Sequence, residues 1–259
     1  MDLGIRGLNA LVLGGSQGLG FACAQALAEA GVRVAVNGRD AQRAEQAATT
    51  LGGGAVAVAG DVSTRSGREA IMAQAKAQLG EIAILVTNAG GPPPGPVDQH
   101  SYATWLHALE TNMLSAIDFA VMVLPEMKEA GFGRIVNITS FTVREPYANM
   151  GLATSVRAGL TGAMSSLAKE VAPLGITVNN VLPGLMDTGA LERVYKAQAE
   201  REGIPVEEAK SRMAASIPMQ RLGRAEDFGQ VCAFLCSRHA AYMTGQNLTV
   251  DGGLVKSLL

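Results

Sequence analysis

Short, wholly apolar segments alternate with longer amphipathic segments along the first two-thirds of the chain. Apolar runs of about four to eight residues, bounded by turn-forming residues, are typical of strands buried on both faces. Strands of this kind separated by helices predict a parallel sheet covered on both sides, because each crossover is right-handed. The predicted strands are NALVLGG (9–15), RVAVNG (33–38), AVAVAGD (55–61), IAILVTNAG (82–90), RIVNITS (134–140) and GITVNNVLPG (175–184), with LTV in the tail 244–253.

The segments between these strands predict the helices of a doubly wound α/β fold, a single Rossmann-type domain over residues 1–259. The first helix ends at Gly31, a typical helix stop, and later helices are predicted over 40–51, 65–79, 101–130 and 154–172. The stretch 185–219 is charged and longer than an ordinary connection. We interpret this stretch as a lid over a binding site.

Composition narrows the class of protein. Hydrophobic residues make up 48% of the 259 residues, and the formal net charge is −2. Such a balance lacks the basic footprint of a nucleic-acid-binding protein and the polybasic patch that binds anionic membranes. The first ten residues contain no long apolar run, and no apolar run reaches the ~18 residues of a membrane-spanning helix. We therefore expect a cytoplasmic protein with no nucleic-acid or membrane partner.

The three cysteines, Cys23, Cys232 and Cys236, form no CxxC pair. A sparse, odd set in an apolar chain predicts reduced thiols in the core. Cys232 and Cys236 lie four residues apart on a predicted helix, but the sequence supplies too few partners for a metal ion. We predict no metal site.

A glycine-rich turn directly follows the first predicted strand and opens a helix. Its residues are Gly14, Gly15, Ser16, Gln17, Gly18, Leu19 and Gly20. Glycines permit the tight turn and the close approach of the backbone to a pyrophosphate, and the helix N-terminus attracts the anion. A plain strand-to-helix turn is the alternative, but the strand before it and the helix after it favour a dinucleotide site.

Five further motifs follow in order along the chain. They are Asn88-Ala89-Gly90 after the fourth strand, Asn112 on the next helix, Ser140 at the end of the fifth strand, Pro183-Gly184 with Thr188 after the sixth, and VDGG at 250–253. Together with the GxxxGxG spacing of the glycine turn, they resemble the short-chain dehydrogenase/reductase family almost end to end. Chains of this type are often labelled 3-oxoacyl-[acyl-carrier-protein] reductases. Leu13 and Thr87 depart from the family pattern, which has threonine and asparagine there.

The resemblance implies a nicotinamide dinucleotide as cofactor and assigns its contacts along the chain. Asp61 and Val62 would meet the adenine, and Asn88, Ala89 and Gly90 the ribose and the sheet edge. Pro183, Gly184, Leu185 and Thr188 would meet the nicotinamide carboxamide. The pyrophosphate would lie on Gly14, Ser16, Gln17, Gly18, Leu19 and Gly20.

The end of the second strand indicates which dinucleotide is bound. No acid stands at its tip, where an aspartate would bond the ribose 2′-hydroxyl and repel a 2′-phosphate. Arg39 instead offers a guanidinium fork suited to a phosphate. Asp40 is predicted to cap the next helix and to turn back on its own backbone. NADP(H) is therefore favoured, and NAD(H) stays possible.

The resemblance also implies a reduction in which a serine polarises a carbonyl and an asparagine holds a relay water. Ser140 and Asn112 match those two positions. The family's proton donor is a tyrosine, whose pKa is lowered by a lysine one helical turn later. The run Ala158–Thr161 and Gly162 matches the family's continuation after that lysine. This register puts Ala153 at the tyrosine position and Arg157 at the lysine position.

Arg157 keeps the lysine's positive charge and is predicted to bind ribose hydroxyls or an anionic group, but a guanidinium is not a general acid. Loss of a general acid costs about 10²- to 10⁴-fold in rate. Tyr147, seven residues after Ser140, is our candidate for the replacement donor, and Tyr195 in the lid is the second candidate. Each can instead be a packing residue.

Three functions remain open on the sequence alone. The first is NADPH-dependent reduction of a small-molecule carbonyl, including a 3-oxoacyl group, with an altered proton donor. The second is a non-redox protein that only binds the cofactor, and the third is a dehydratase or cyclase built on the same fold. Small residues on helix 154–172, namely Gly159, Gly162, Ala163 and Ser166, together with the resemblance, predict a homodimer or homotetramer.

Overall fold

The computed structural model describes residues 2–258, and a seven-stranded sheet in the order β3-β2-β1-β4-β5-β6-β7 runs through its centre. Every neighbouring pair of strands is parallel. The chain therefore builds outward from β1 to β3 and then returns to place β4 beside β1, which confirms the doubly wound fold. The strands are β1 Asn9–Val12, β2 Arg33–Gly38, β3 Val56–Ala59, β4 Ile84–Thr87, β5 Gly133–Ile138, β6 Ile176–Pro183 and β7 Asn247–Val250.

Nine α-helices lie in the described part of the chain, with α3, α5 and α6 on one face of this sheet, α1, α2 and α9 on the other, and α7 and α8 in a unit of their own. Alternate residues of β1 show why its strand is apolar throughout: Leu11 packs with α3, α5 and α6 on one face, whereas Ala10 and Val12 pack with α1 and α9 on the other. The helices are α1 Gly18–Glu29, α2 Ala41–Leu51, α3 Arg65–Leu79, α4 Tyr102–Leu109, α5 Ser115–Ala130, α6 Gly151–Val171, α7 Gly189–Glu202, α8 Val206–Ala215 and α9 Ala225–Cys236.

A chain of buried or partly buried side-chain hydrogen bonds crosses the four strands β4, β5, β6 and β7. Thr87 Oγ1 donates to Asn137 Oδ1 at 2.7 Å, Asn137 Nδ2 donates to Asn180 Oδ1 at 3.0 Å, and Asn180 Nδ2 donates to Asn247 Oδ1 at 2.8 Å. Buried polar groups need such partners. The threonine at position 87 therefore keeps a donor where the family has asparagine.

The predicted helix over 101–130 is interrupted. A π-turn, Glu110–Leu114, separates α4 from α5. By length and composition the combined stretch Tyr102–Ala130 is long and apolar enough to cross a membrane, contrary to the expectation from sequence. This is weak evidence, because a core helix passes the same test, and Phe119 and Val123 are fully buried against the sheet.

The stretch 185–219 folds into α7 and α8, which enclose a small apolar core of their own. Tyr195, Ala199 and Ala209 pack there with Phe141 of the segment after β5 and with Leu254 of the C-terminal tail. Lys210 Nζ lies 2.8 Å from Asp187 Oδ2 and ties α8 to the segment after β6. Movement of this unit as a lid stays a prediction.

The three cysteines are buried free thiols. They lie in the apolar cluster between α1 and α9, and the hydrogen bond with Cys23, followed by burial, raises the pKa of the Cys232 thiol well above its ordinary value. Such thiols are unreactive at neutral pH. Among the described residues no group of three or more potential metal ligands is present.

Candidate active site

The glycine turn lies at the carboxyl end of β1, where the direction of the strand order reverses. Gly14 and Gly18 have positive φ angles of 54° and 58°, which side chains rarely adopt. A Cβ on Gly14 would lie 2.8 Å from Asn88 Nδ2, and a Cβ on Gly20 would overlap the Gly14 carbonyl oxygen. Asn88 Nδ2 donates to that same oxygen at 3.1 Å. The end of β4 therefore holds the turn in shape.

The N-terminus of α1 faces the cleft without a side-chain cap. Gln17 occupies the cap position and makes no capping hydrogen bond. The first N–H groups of the helix are therefore left for another acceptor, and the helix dipole favours an anion there. Thr188, the residue before α7, lies on the other side, with its Cβ 3.9 Å from the position that a Cβ on Gly18 would take. This arrangement fits a pyrophosphate between the two segments.

Three residues lie where β2 ends and α2 begins, at the place predicted from the sequence to meet the ribose 2′-substituent. Arg39 is exposed at the end of β2. Asp40 caps α2 by accepting from the Arg43 backbone N–H at 3.0 Å, as predicted. The sequence prediction missed Arg43, whose Nη1 reaches across to Gln17 Oε1 at 3.0 Å. The sequence signal that could have indicated Arg43 was its position four residues after Arg39, which puts the two side chains close together at the start of α2.

The wall predicted to meet adenine follows β3. The backbone N–H of Ser63 donates to Asp61 Oδ1 at 2.9 Å, and this bond is the main reason that the pKa of the Asp61 carboxyl lies below its usual range. The positive charge of Arg39 contributes in the same direction. Val62 is buried and offers an apolar surface. The two residues thus place one apolar and one anionic group beside the cleft.

Ser140 lies two residues after the end of β5, and the next turn orients its hydroxyl. Its Oγ accepts a hydrogen bond from the Thr142 backbone N–H at 3.2 Å and another from Thr142 Oγ1 at 3.0 Å. Because both bonds are accepted, the Ser140 proton is left to donate to a third group. Thr142 is buried and was missed in the sequence, since only the turn Phe141–Val143 brings it back onto Ser140.

Asn112 and Arg157 lie together at the base of the cleft. They line a cavity of ≈ 10 Å³, with Asn88 and Thr111 also in its wall. That is about the room of one water molecule, and Thr111 Oγ1 is buried there without a hydrogen-bond partner. A larger hollow of ≈ 340 Å³, around Glu45 and Gln78, lies at the amino end of β3, on the opposite side of the sheet from these residues.

Arg157 is a charged group with no acidic partner in the described part of the chain. Burial alone lowers the pKa of its guanidinium to about 10. The group is therefore still charged at neutral pH, and part of its surface reaches the cleft. Nη2 lies 3.4 Å from the position that a Cβ on Gly91 would take, so the side chain extends toward the segment after β4.

We expect Arg157→Met to stabilise the protein without cofactor by about 1–3 kcal/mol, because it removes an unpaired charge from a poorly hydrated position. The pKa in the folded state lies below that in the unfolded state, so the penalty is fully present below pH 10 and shrinks above it. Urea unfolding at pH 7.5 and pH 10.5 measures the effect, with the exposed Lys169→Met on the same helix as control. Lower stability of Arg157→Met at pH 7.5 contradicts this account.

The tyrosines occupy different environments. Tyr147 is 42% exposed, and its ring packs edge-on against Phe141, with 5.1 Å between ring centroids. Among the described residues the Tyr147 hydroxyl makes no hydrogen bond, so the structure does not connect it to Ser140, whose Oγ bonds to Thr142. Tyr195 is 6% exposed in the core of α7 and α8, beneath Lys210. Ala153 is buried on α6, one turn before Arg157.

Two charged residues fix the segment that carries Tyr147. Arg144 Nη2 donates to the backbone oxygen of Asn247 at 2.8 Å, and Glu145 Oε2 accepts from the backbone N–H of Lys256 at 2.8 Å. The segment is therefore anchored to β7 and to the C-terminal tail.

The residues predicted to meet nicotinamide follow β6. Pro183 ends that strand, and a Cβ on Gly184 would lie 2.6 Å from Asp251 Cα, so the passing tail requires glycine. The Leu185 backbone oxygen accepts from the Gly223 N–H at 3.0 Å. Ala89 and Gly90 follow β4, the strand that lies between β1 and β5. All the predicted cofactor segments therefore meet at the carboxyl edge of the sheet.

A glycine-rich turn at the point where a doubly wound sheet reverses direction defines a dinucleotide-binding α/β protein. Comparison with known proteins narrows the class. A family model described as enoyl-(acyl carrier protein) reductase matches residues 14–255. The NADPH-dependent reductase BacG of Bacillus subtilis is 31% identical over 255 residues, covering 96% of this chain and 98% of that protein. The chain belongs to the short-chain dehydrogenase/reductase family.

Further relatives agree with this membership. The 3-oxoacyl-[acyl-carrier-protein] reductase FabG of Haemophilus influenzae is 33% identical over 253 residues, covering 98% of this chain and 100% of that protein. The crystal structure of L-sorbose reductase from Gluconobacter frateurii, complexed with NADPH and L-sorbose, matches with a TM-score of 0.95 at 29% identity over 100% of both chains. These relatives and the structural neighbour are thus oxidoreductases that act on small molecules.

Proposed function

We propose that the protein is an NADPH-dependent reductase of a small-molecule carbonyl compound, and that its proton donor differs from the tyrosine usual in the family. The observation that carries the proposal is the Ser140 hydroxyl, which accepts both bonds from Thr142 and keeps its proton for a substrate oxygen. A protein that only bound the cofactor would have no need of this arrangement. A 3-oxoacyl compound is one candidate substrate, by analogy with FabG.

NADPH, when bound, supplies a hydride to the carbonyl carbon, and the oxygen must then gain a proton. Ser140 donates a hydrogen bond to that oxygen and stabilises its developing negative charge. Arg157 adds a positive charge near the same end of the cleft. The small cavity that Asn112 and Arg157 line has about the room of one water molecule, which would serve as the relay. The proton is assigned to Tyr147, which lies seven residues after Ser140 in a segment held by Arg144 and Glu145.

The preference for NADP(H) is assigned to Arg39 together with Arg43. We expect Arg39→Asp to raise the Kd of NADPH about 10- to 10²-fold, since a bond to a charged group is lost and a repulsive charge gained. The Kd of NADH should change little or fall. Fluorescence titration with both cofactors measures this, with Arg33→Asp at the other end of β2 as control. An equal effect on both cofactors would remove the 2′-phosphate role.

The experiment that tests the function is a titration with NADPH and NADH followed by a panel of ketones, aldehydes and 3-oxoacyl thioesters. Oxidation of NADPH by at least one class of carbonyl supports the reductase. Micromolar binding of NADPH with no oxidation across the panel favours a cofactor-binding protein without redox turnover. The absence of a tyrosine at position 153 is the observation that keeps this second function open.

We also propose that the protein acts in the cytoplasm as a homodimer or homotetramer. The outward side of α6 carries Ser155, Ala158, Gly162 and Ser166, and the position of a Cβ on Gly162 meets no atom within 4 Å. Gly159 belongs to a different side than predicted, because it packs against Met113 of its own chain. Exposed Leu106 and Val121 of α4 and α5 add apolar surface. Light scattering should give a multiple of 26.8 kDa, and a monomer mass contradicts the proposal.

A further inference from the structure

A buried arginine outside the cleft contacts residues on both sides of the break between α4 and α5. Arg68, on α3, is 4% exposed. Its Nη1 lies 3.2 Å from Glu110 Oε2, and its Nε lies 2.8 Å from Asp118 Oδ2. Glu110 opens the π-turn and Asp118 lies in the first turn of α5. The Glu110 contact is also a hydrogen bond, whereas Nε makes an ion pair with Asp118 without an aligned hydrogen bond. One guanidinium therefore pairs with two acids on either side of the irregular segment.

This double contact depends on the π-turn. In a regular α-helix, residues eight apart point ~80° away from each other, whereas residues seven apart differ by only ~20°. The π-turn takes up one additional residue, so Glu110 and Asp118 lie on one face as residues seven apart do. A helix that relaxed to regular α geometry would turn one acid away from Arg68. The ion pairs consequently favour the π register over the α register.

The same register places Asn112. Glu110 supplies the carbonyl oxygen that closes the π-turn by accepting from the Ser115 N–H, and Ser115 Oγ donates to the Thr111 oxygen at 2.6 Å. Asn112 lies between these bonds and reaches the small cavity beside Arg157. Arg68 Nη1 also donates to the Val62 oxygen at 3.0 Å. One side chain thus contacts the adenine wall and the segment that carries Asn112.

We propose that Arg68 is a positioning residue whose bridge from Glu110 to Asp118 holds the π-turn in the register that delivers Asn112 to the cleft. The contribution of Arg68 to turnover rests on the proposed reductase function, whereas its control of the register of the π-turn does not depend on that function. Arg68 touches neither substrate nor the reacting atoms. Its effect passes through the π-turn to Asn112, and through the Val62 carbonyl to the cofactor wall.

Hydrogen–deuterium exchange tests the register in the intact protein without requiring activity. In Arg68→Met, exchange over residues 110–116 should rise at least ~10-fold, because the buried guanidinium that pairs with both acids is lost. Arg65→Met is the matched control, since Arg65 lies on the same helix but makes an exposed pair with Glu69. Arg68→Lys should restore part of the protection. Unchanged exchange over 110–116 in a folded Arg68→Met protein overturns the proposal.

Steady-state kinetics then tests the path through Asn112. Arg68→Met should lower kcat about 10-fold, as small displacements of catalytic groups do, and should lower it no further in an Asn112→Ala background. Losses that multiply in the double variant overturn the path. If Arg68→Met fails to fold, Glu110→Gln keeps the hydrogen bond and removes the charge, and faster exchange over 110–116 is again the expected result. Absent turnover in the unmodified protein would reject the reductase function and leave the exchange result to decide the register.

Discussion

Replacing Ser140 with alanine is expected to lower kcat about 10²- to 10³-fold, the cost of removing one donor from a developing oxyanion. The structure leaves the Ser140 proton unused, because Thr142 donates both of the bonds that Ser140 makes. The hydroxyl lies on the segment after β5, apart from the glycine turn, so the Kd of NADPH should stay within about twofold of its original value.

Stopped-flow measurement of NADPH oxidation and a separate fluorescence titration distinguish these two quantities. Thr142→Val serves as the graded companion: it removes one bond to Ser140 Oγ, keeps the backbone N–H, and should lower kcat only about 2- to 10-fold. Equal kcat values for Ser140→Ala and the unmodified protein would show that the serine takes no part in polarising the substrate.

Replacing Tyr147 with phenylalanine is expected to lower kcat about 10²- to 10⁴-fold, because the substitution removes the proposed general acid. The substitution keeps the ring that packs edge-on against Phe141 and removes only the hydroxyl. Folding and NADPH affinity should therefore be unaffected.

Tyr195→Phe is the matched control, because that ring is buried between α7 and α8. It should leave kcat unchanged within about twofold. Unchanged turnover in Tyr147→Phe would contradict the assignment and favour a proton delivered through the small cavity that Asn112 and Arg157 line. In that case Arg157→Met should lower kcat more than Tyr147→Phe does.

The sequence was sufficient to predict the sheet, because its strands are buried on both faces and each ends at a turn residue. The glycine turn could also be placed from the sequence, because the space at Gly14 and Gly20 admits no side chain and so requires glycine. The break between α4 and α5 could not be predicted. It depends on Arg68, which lies more than forty residues earlier in the chain and meets Glu110 and Asp118 only after folding.

Within the site, residues that follow strands were predictable, and residues that act through a neighbour were not. Ser140, Asn88 and Thr188 reach the cleft because parallel strands end at one edge of the sheet. Thr142 and Arg43 contribute through contacts with Ser140 and Gln17, which a sequence pattern does not encode. The spacing of Gly159 was also misleading, because Met113 covers it from within the same chain.

Transfer of deuterium from NADPH labelled at the nicotinamide C4 is the most direct test of the central claim, that this chain reduces a carbonyl with serine polarisation and without a tyrosine at position 153. We predict one deuterium per molecule in the alcohol product of the unmodified protein under single-turnover conditions, measured by mass spectrometry, and about 10²-fold slower incorporation with Ser140→Ala. Saturating NADPH binding with no deuterium in any product of the carbonyl panel would contradict the account.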